Sequence, residues 1–256
     1  MRIGAQLFTV RDFCKDLESF SETLKKVADI GYTIVQVSGT CEYEADWLSQ
    51  QLKQNGLRCV VTHTNPQKLQ NQLSKVCEDH KVFGCDNVGL GMFQLMEGDP
   101  VEEYAKFLSI YKPIARELKA QGLYFMYHNH HHEFFRFNGK TILRHMAEDF
   151  APDEMGFILD TFWVQAGGAN PAECLRELKG RVPCIHLKDF AYSKEVGFLS
   201  NIAPVGEGNI NFEAVINAAD DAGTEYLLVE QDVCHGEDPF DCLKRSYTNL
   251  RALGLD

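Results

Sequence analysis

Side chains that can bind a metal ion or transfer a proton stand where short apolar runs of this sequence end. Imidazoles, carboxylates, amides and one ammonium share this placement: Gln6, Gln36, His63, His128, Asn129, His130, Glu133, Asp160, His186, Lys188, Asp189, Glu230, Gln231 and Asp232. Acids and histidines that converge in a buried place need a cation to compensate them. Mixed oxygen and nitrogen ligands suit manganese, magnesium, zinc or cobalt rather than an ion selected by thiolates. The pattern therefore predicts one bound divalent metal ion.

The densest cluster of such residues is the stretch YHNHHHEF, at residues 127–134. In a strand, His128 and His130 point to one face and His131 points to the other. Only one alternating set can therefore enter a site, and we expect His131 and His132 to lie behind it or at the surface. A surface histidine cluster that collects metal ions without a function is the alternative interpretation.

Several of the same side chains also have a structural interpretation. An aspartate at the position of Asp160 can cap the helix that follows it. Trp163 can pack in the core or stack on the face of a sugar. Lys188 can pair with Asp189 or neutralise negative charge that develops on a substrate. The convergence of the whole set, rather than any single member, favours a functional site.

The elements that must position these residues repeat along the chain as helix, glycine and strand. Six amphipathic stretches end in a glycine that precedes a β-rich run: Gly31, Gly56, Gly84, Gly122, Gly180 and Gly223. Glycine after a helix provides a left-handed cap, and short apolar runs are typical of parallel strands buried on both faces. Residues 3–8 and 156–160 bring the predicted number of strands to eight.

Strict alternation of strand and helix implies a parallel sheet, either open or closed into a barrel. Eight strands in 256 residues favour closure, since such barrels typically have about 250 residues. No GxGxxG follows the first strand, which disfavours a dinucleotide-binding open sheet. We predict an α/β fold, a (β/α)8 TIM barrel, with residues 1–256 as a single domain. Its chemistry would lie at the carboxyl ends of the strands, and residues 190–211 form a candidate active-site loop.

The charge balance restricts the partners of the chain. It has 25 Lys and Arg against 37 Asp and Glu, a formal net charge of -12. This charge repels phosphate backbones and anionic membranes, so we expect neither nucleic acid nor a membrane as partner. A neutral small-molecule substrate is favoured, and a homo-oligomer is compatible with the sequence.

The cellular compartment follows from the first residues and the cysteines. The opening MRIGAQLFTV lacks the layout of a signal peptide, and no apolar run approaches the roughly 18 residues that span a bilayer. The nine cysteines are scattered, odd in number and without a CxxC pair, so no disulfide framework is indicated. We expect a cytoplasmic protein.

Five motifs, in this order along the chain, resemble those of the xylose-isomerase-like barrel superfamily, and in particular its sugar phosphate isomerase/epimerase branch: YHNHHHEF, LDTFW, IHLKD, VGEGNINF and LVEQD. The resemblance extends over essentially the whole chain. It implies one divalent ion held by a Glu from strand 5, an Asp from strand 6, a His from strand 7 and a Glu from strand 8. The last three carry over to Asp160, His186 and Glu230.

Strand 5 departs from this pattern, because His128 stands where the related ketose epimerases have their glutamate. We expect Glu133 to fold back and supply the fourth metal ligand. His128 or His130 in that position is the alternative. The departure also bears on the mechanism, since those epimerases use a pair of glutamates.

Residues and resemblance together predict a divalent-metal-dependent sugar isomerase or epimerase, which removes a proton next to the carbonyl of a keto-sugar. Glu133 and Glu230 are the expected catalytic residues. Substrate contacts are expected from His63, His128, His130, Trp163 and Lys188. If a strand-5 histidine is the base, the scaffold would instead act as a keto-sugar or keto-inositol dehydratase or a keto-glycoside lyase. The negative charge disfavours the endonuclease branch of the superfamily, and the number of convergent titratable groups disfavours a non-catalytic barrel.

Overall fold

The computed structural model of the chain describes residues 1–192 and 200–255. Eight parallel strands close into a barrel in which neighbours follow chain order and the first strand pairs with the last. The strands are β1 (Arg2–Gln6), β2 (Ile34–Val37), β3 (Arg58–His63), β4 (Asn87–Leu90), β5 (Tyr124–His128), β6 (Met155–Asp160), β7 (Cys184–Leu187) and β8 (Tyr226–Val229). The predicted α/β fold, an eight-stranded closed barrel, is confirmed.

Helices fill the connections between the strands. In the described part of the chain they are α1 (Leu17–Ile30), α2 (Ala45–Gln54), α3 (Pro66–Asn71), α4 (Leu73–Phe83), α5 (Pro100–Ala120), α6 (Ile142–Asp149), α7 (Thr161–Ala166), α8 (Pro171–Glu177), α9 (Phe212–Ala222) and α10 (Pro239–Ala252). Gly84 and Gly223 end α4 and α9 with φ of 69° and 82°. Both have the left-handed conformation that the helix–glycine–strand pattern requires. Among the described helices, none is both long and apolar enough to cross a bilayer.

Apolar side chains form two packed regions. One cluster contains only strand residues and fills the barrel interior, with Met126, Ile158, Cys184 and Leu228 among its members. A larger cluster joins the outer faces of the strands to the helices. The barrel is tight enough that a Cβ on Gly89 would lie 2.1 Å from the carbonyl oxygen of Thr62 in the neighbouring strand.

The first strand is shorter than the predicted residues 3–8. It ends at Gln6, and a 3₁₀ helix, Leu7–Phe13, follows at once. The side chain of Gln6 accepts the backbone N–H of Phe8 at 2.6 Å, which satisfies a donor at the start of that helix. The local hydrogen bond therefore ends the strand before its apolar run ends.

The predicted active-site loop, residues 190–211, contains regular structure. Asp189–Tyr192 and Ser200–Ala203 pair as antiparallel strands, and residues 193–199 lie outside the described residues. The carboxylate of Asp189 accepts four backbone N–H groups, from Phe190 (2.8 Å), Gly206 (2.9 Å), Gly208 (2.8 Å) and Ile210 (3.2 Å). A Cβ on Gly208 would lie 2.4 Å from this carboxylate, so the VGEG turn is built around it.

Candidate active site

Four ligand-type side chains converge where the carboxyl ends of β5 to β8 meet. His128 ends β5, Asp160 ends β6, His186 lies in β7 and Glu230 follows β8. All four are at most 3% exposed, and one nitrogen or oxygen of each lies within 4.8 Å of those of the others. The period of two along a strand places each of them directly above a residue of the interior cluster. The barrel core therefore supports the site from below.

The hydrogen bonds of the two histidines turn the second nitrogen of each ring toward the carboxylates. His128 Nδ1 donates to the carbonyl oxygen of Gly91 at 2.9 Å, and its Nε2 lies 3.4 Å from Asp160 Oδ2. His186 Nε2 lies 2.5 Å from Gln36 Oε1, which accepts its proton. His186 Nδ1 lies 2.8 Å from Glu230 Oε2, and both atoms are buried.

The carboxylates of Asp160 and Glu230 lie close together in this buried group and repel each other unless a positive charge lies among them. Burial alone would lower the pKa of His186, but the carboxylates of Glu230 and Asp160 raise it. This point of the site therefore strongly favours positive charge. The donor set of two imidazoles and two carboxylates fits a divalent ion of the manganese, zinc or cobalt type.

Lys188 brings an ammonium to this group. Its Nζ lies 3.0 Å from Asp160 Oδ2, 3.0 Å from Glu230 Oε2 and 2.8 Å from Asp232 Oδ2. Burial alone would raise the pKa of the Asp160 carboxyl, but the Lys188 ammonium and the neighbouring histidines hold it well below its usual range. With His186 neutral, as a metal-bound imidazole is, three carboxylates and one ammonium leave two negative charges, which one divalent ion would balance.

Neighbouring side chains fix the orientation of the acids. Asp160 Oδ1 accepts the N–H of Trp163 at 2.9 Å and so caps α7, while Oδ2 faces the group. The capping role and the ligand role that the sequence offered for this residue therefore use different oxygens. Glu230 is held in the same way, because Gln6 Nε2 donates to its Oε1 at 2.8 Å.

Glu133 lies outside this group, and His128 lies within it. Of the four predicted metal ligands, the structure brings together Asp160, His186 and Glu230. The Glu133 carboxylate instead accepts the hydroxyl of Tyr127 at 2.5 Å and the N–H of His130 at 2.7 Å. The physical reason is local: a 3₁₀ turn, His132–Phe134, follows β5 and turns Glu133 toward Tyr127, whose position in β5 points away from that of His128.

A cavity of about 650 Å³ opens onto the group from the ends of β2 to β4. Its wall includes His128, His130, Lys188, Glu230 and Asp232. Polar side chains from the opposite side of the barrel complete it, among them Ser38, His63 and Thr64. The cavity is large enough for a small ligand, since such sites commonly measure about 300–1,000 Å³.

His63 faces the group from β3, across the barrel mouth. Its ring centroid lies 5.1 Å from that of His128 and 5.6 Å from that of His186. Its Nδ1 lies 3.1 Å from Ser38 Oγ, and its Nε2 is buried without a partner. Burial, together with His128 and His186, lowers the pKa of His63 well below its usual value. The lowered pKa favours the neutral imidazole, in which one ring nitrogen is unprotonated.

His130 and Trp163 form an aromatic edge beside the group. Their ring centroids are 5.2 Å apart, and Lys188 Nζ lies 5.5 Å from the Trp163 ring. Burial, reinforced by His128, lowers the pKa of His130 to about 2. Trp163 also contacts the ring of His131, so it both packs and borders the site.

Sequence reasoning did not single out Ser38, Gly91 or Thr161. Thr161 Oγ1 donates to the carbonyl of Lys188 at 2.8 Å and accepts its N–H at 3.0 Å, which fixes the backbone beneath the ammonium. Ser38 follows β2 directly, so the rule that applied to the other strand ends could have found it. The role of Gly91 is a backbone carbonyl and leaves no signal in the sequence.

Comparison with known proteins identifies the family. A family model described as a xylose isomerase-like TIM barrel matches residues 24–245. No curated protein matches the chain by sequence.

Solved structures share the fold at low sequence identity. A sugar phosphate isomerase/epimerase from Parabacteroides distasonis ATCC 8503 has a TM-score of 0.82 and 20% identity, covering 98% of this chain and 94% of that one. An L-ribulose 3-epimerase has a TM-score of 0.74 and 18% identity, covering 99% and 94%. The IOLI protein with a bound zinc atom has a TM-score of 0.73 and 15% identity, covering 99% and 98%. At these identities the likeness shows the fold alone.

The family match extends over most of the chain, and the closed barrel agrees with it. The chain belongs to the xylose isomerase-like TIM barrel family.

Proposed function

We propose that the protein is a divalent-metal-dependent sugar isomerase or epimerase that acts next to the carbonyl of a keto-sugar. One observation carries the proposal: two buried imidazoles and two buried carboxylates, brought together by four neighbouring strands, place their donor atoms within 4.8 Å of one another. We assign the metal to His128, Asp160, His186 and Glu230, because their donor atoms form one compact group.

The reaction would divide between the metal group and the opposite wall of the cavity. A divalent ion bound there would act as a Lewis acid toward the carbonyl and an adjacent hydroxyl. His63, as a neutral imidazole, would remove the proton from the carbon next to the carbonyl. Glu230, on the other side, would exchange a proton at the second face. His63 thus takes the place that Glu133 had in the predicted pair of catalytic residues.

Lys188 would stabilise the negative oxygen that forms when the proton leaves. Its carboxylate partners raise its pKa although burial alone would lower it, so it stays charged. His130 and Trp163 would contact the sugar ring at the edge of the cavity. The whole arrangement suits a small sugar in a cytoplasmic protein, and the net charge of -12 disfavours nucleic acid and membrane partners.

Hydrogen exchange in heavy water tests this function. The manganese-loaded protein is incubated with a panel of ketoses and 3-keto-sugars, and deuterium uptake is followed by mass spectrometry. We expect metal-dependent uptake of one deuterium with the carbon skeleton unchanged. Isomerised or epimerised product that forms equally fast in protein stripped of metal would contradict the proposal.

A lyase or dehydratase is the second candidate, and the position of Glu133 favours it. Since Glu133 lies outside the group, the site lacks the paired glutamates that the predicted epimerase mechanism uses. A single proton acceptor such as His63 suffices for elimination of a β-leaving group. In the same exchange assay, loss of water or of an aglycone from the substrate would identify this chemistry.

A further inference from the structure

A second group of ligand-type side chains lies beside the first, in the turn that follows β5. His130, His132 and Glu133 each bring one nitrogen or oxygen within 4.8 Å of those of the other two. His130 Nδ1 is buried without a hydrogen-bond partner, and His132 Nε2 is buried 3.0 Å from Glu133 Oε1. We propose that these three residues form a second cation site, separate from the proposed catalytic metal group.

The donor set points to the class of ion. Two imidazoles and one carboxylate are the ligands of open zinc sites, which leave a fourth position for water or substrate. Magnesium and calcium prefer sites built from oxygen alone. We therefore expect zinc, or a similar ion such as cobalt, rather than magnesium.

The carboxylate is held ready for this role. Glu133 is fully buried, and its oxygens are positioned by the hydroxyl of Tyr127 and the N–H of His130. Such outer hydrogen bonds orient a metal-binding carboxylate. The rings of His130 and His132 lie nearly parallel, 5.4 Å apart, with 8° between their planes.

A simple ion pair explains only part of this arrangement. His132 Nε2 lies 3.0 Å from Glu133 Oε1, which a protonated His132 could use. That pair leaves His130 Nδ1 buried and unpartnered, which is costly. A cation among the three donors satisfies both imidazoles together.

Zinc titration of the full chain by calorimetry tests the second site. We expect two equivalents for the wild type, one at each group, and one equivalent for His132→Gln. The glutamine amide can still donate to Glu133, so this variant preserves a purely structural contact while it removes a ligand. His131→Gln is the matched control. The His131 side chain is next to His132 in sequence but is exposed and belongs to neither group, so two equivalents of zinc are expected.

Asp160→Asn separates this proposal from the proposed function, because it alters only the first group. Suppose that the wild type binds only one equivalent of zinc. If that equivalent is retained in His132→Gln and lost in Asp160→Asn, the second site is overturned and the first is supported. If it is lost in His132→Gln and retained in Asp160→Asn, the second site is supported and the first is overturned. Should His132→Gln fail to fold, zinc-edge anomalous diffraction from wild-type crystals decides: a peak bounded by His130, His132 and Glu133 supports the site, and its absence in zinc-soaked crystals overturns it.

Discussion

Nε2 of His128 lies 3.4 Å from Oδ2 of Asp160. This contact brings an imidazole from β5 into the group where the sequence suggested a glutamate. His128 Nδ1 donates to the carbonyl of Gly91, so Nε2 is the nitrogen that faces Asp160. An imidazole ligand also makes the site less negative than a glutamate would, by one charge.

Replacing Lys188 by methionine should destabilise the metal-free protein. The ammonium is 1% exposed and contacts three carboxylates, so its removal leaves buried charge uncompensated, at a cost of about 3–5 kcal/mol. Urea unfolding in chelator measures the change. Saturating manganese should narrow the difference, because the ion compensates the same acids.

The matched control is Lys140→Met, which breaks the exposed pair with Glu148 and should cost at most about 1 kcal/mol. Equal stability of Lys188→Met and wild type in chelator would mean that the ammonium does not compensate the acids.

His63→Gln should slow deuterium exchange without loss of metal. A missing general base commonly reduces the rate by about 10²–10⁴-fold, while His63 is not one of the four grouped residues. Ser38→Ala should give a smaller reduction, since the hydroxyl only orients the ring through Nδ1. Exchange rate and manganese affinity are measured on the same preparations. Wild-type exchange in His63→Gln would exclude His63 as the base.

The sequence predicted the barrel because its signals are local and repeated. Apolar runs bounded by glycine specify strands buried on both faces, and Gly84 and Gly223 have the expected left-handed caps. The end of β1 could not be read in this way. There the side chain of Gln6 accepts the N–H of Phe8, and a 3₁₀ helix starts within an apolar run.

Within the site, alternation along the strand placed His128 and His131 on opposite faces, but it could not place Glu133. That residue lies beyond the end of β5, where the direction of the side chain depends on a turn of three residues and on the buried hydroxyl of Tyr127. The hydrogen bonds between Asp189 and the VGEG turn could not be predicted from the sequence either, because the partners of the carboxylate are backbone N–H groups.

Acid should destabilise the protein partly through His80. This side chain is 4% exposed, and burial lowers its pKa from 6.5 to about 4, against the hydrogen bond to the carbonyl of Val76. Between pH 6.5 and about 4, His80 therefore binds a proton in the unfolded chain but not in the folded chain. The contribution of His80 to the free energy of unfolding is fully present above pH 6.5. It falls by about 3 kcal/mol as the pH drops toward 4.

His80 forms hydrogen bonds to the carbonyl oxygen of Val76 at 2.7 Å and to Thr62 Oγ1 at 2.9 Å. His80→Gln should flatten that part of the pH profile, because a side-chain amide can form hydrogen bonds without titrating. Urea unfolding of both proteins between pH 4 and 7 gives the comparison. His131→Gln, at an exposed position, should keep the wild-type slope. Identical slopes for His80→Gln and wild type would show that His80 does not resist protonation in the folded state.

Manganese binding in three variants tests the proposed metal group most directly. Paramagnetic resonance titration should give one equivalent of bound manganese for the wild type. In His128→Ala the affinity should fall by more than the about 10–100-fold that loss of an outer partner costs, and Asp160→Asn should behave in the same way. Glu133→Gln should bind as the wild type does. Absence of bound manganese in the wild type between pH 6 and 8, or its loss in Glu133→Gln and retention in His128→Ala, would contradict the assignment of His128, Asp160, His186 and Glu230 as the ligands.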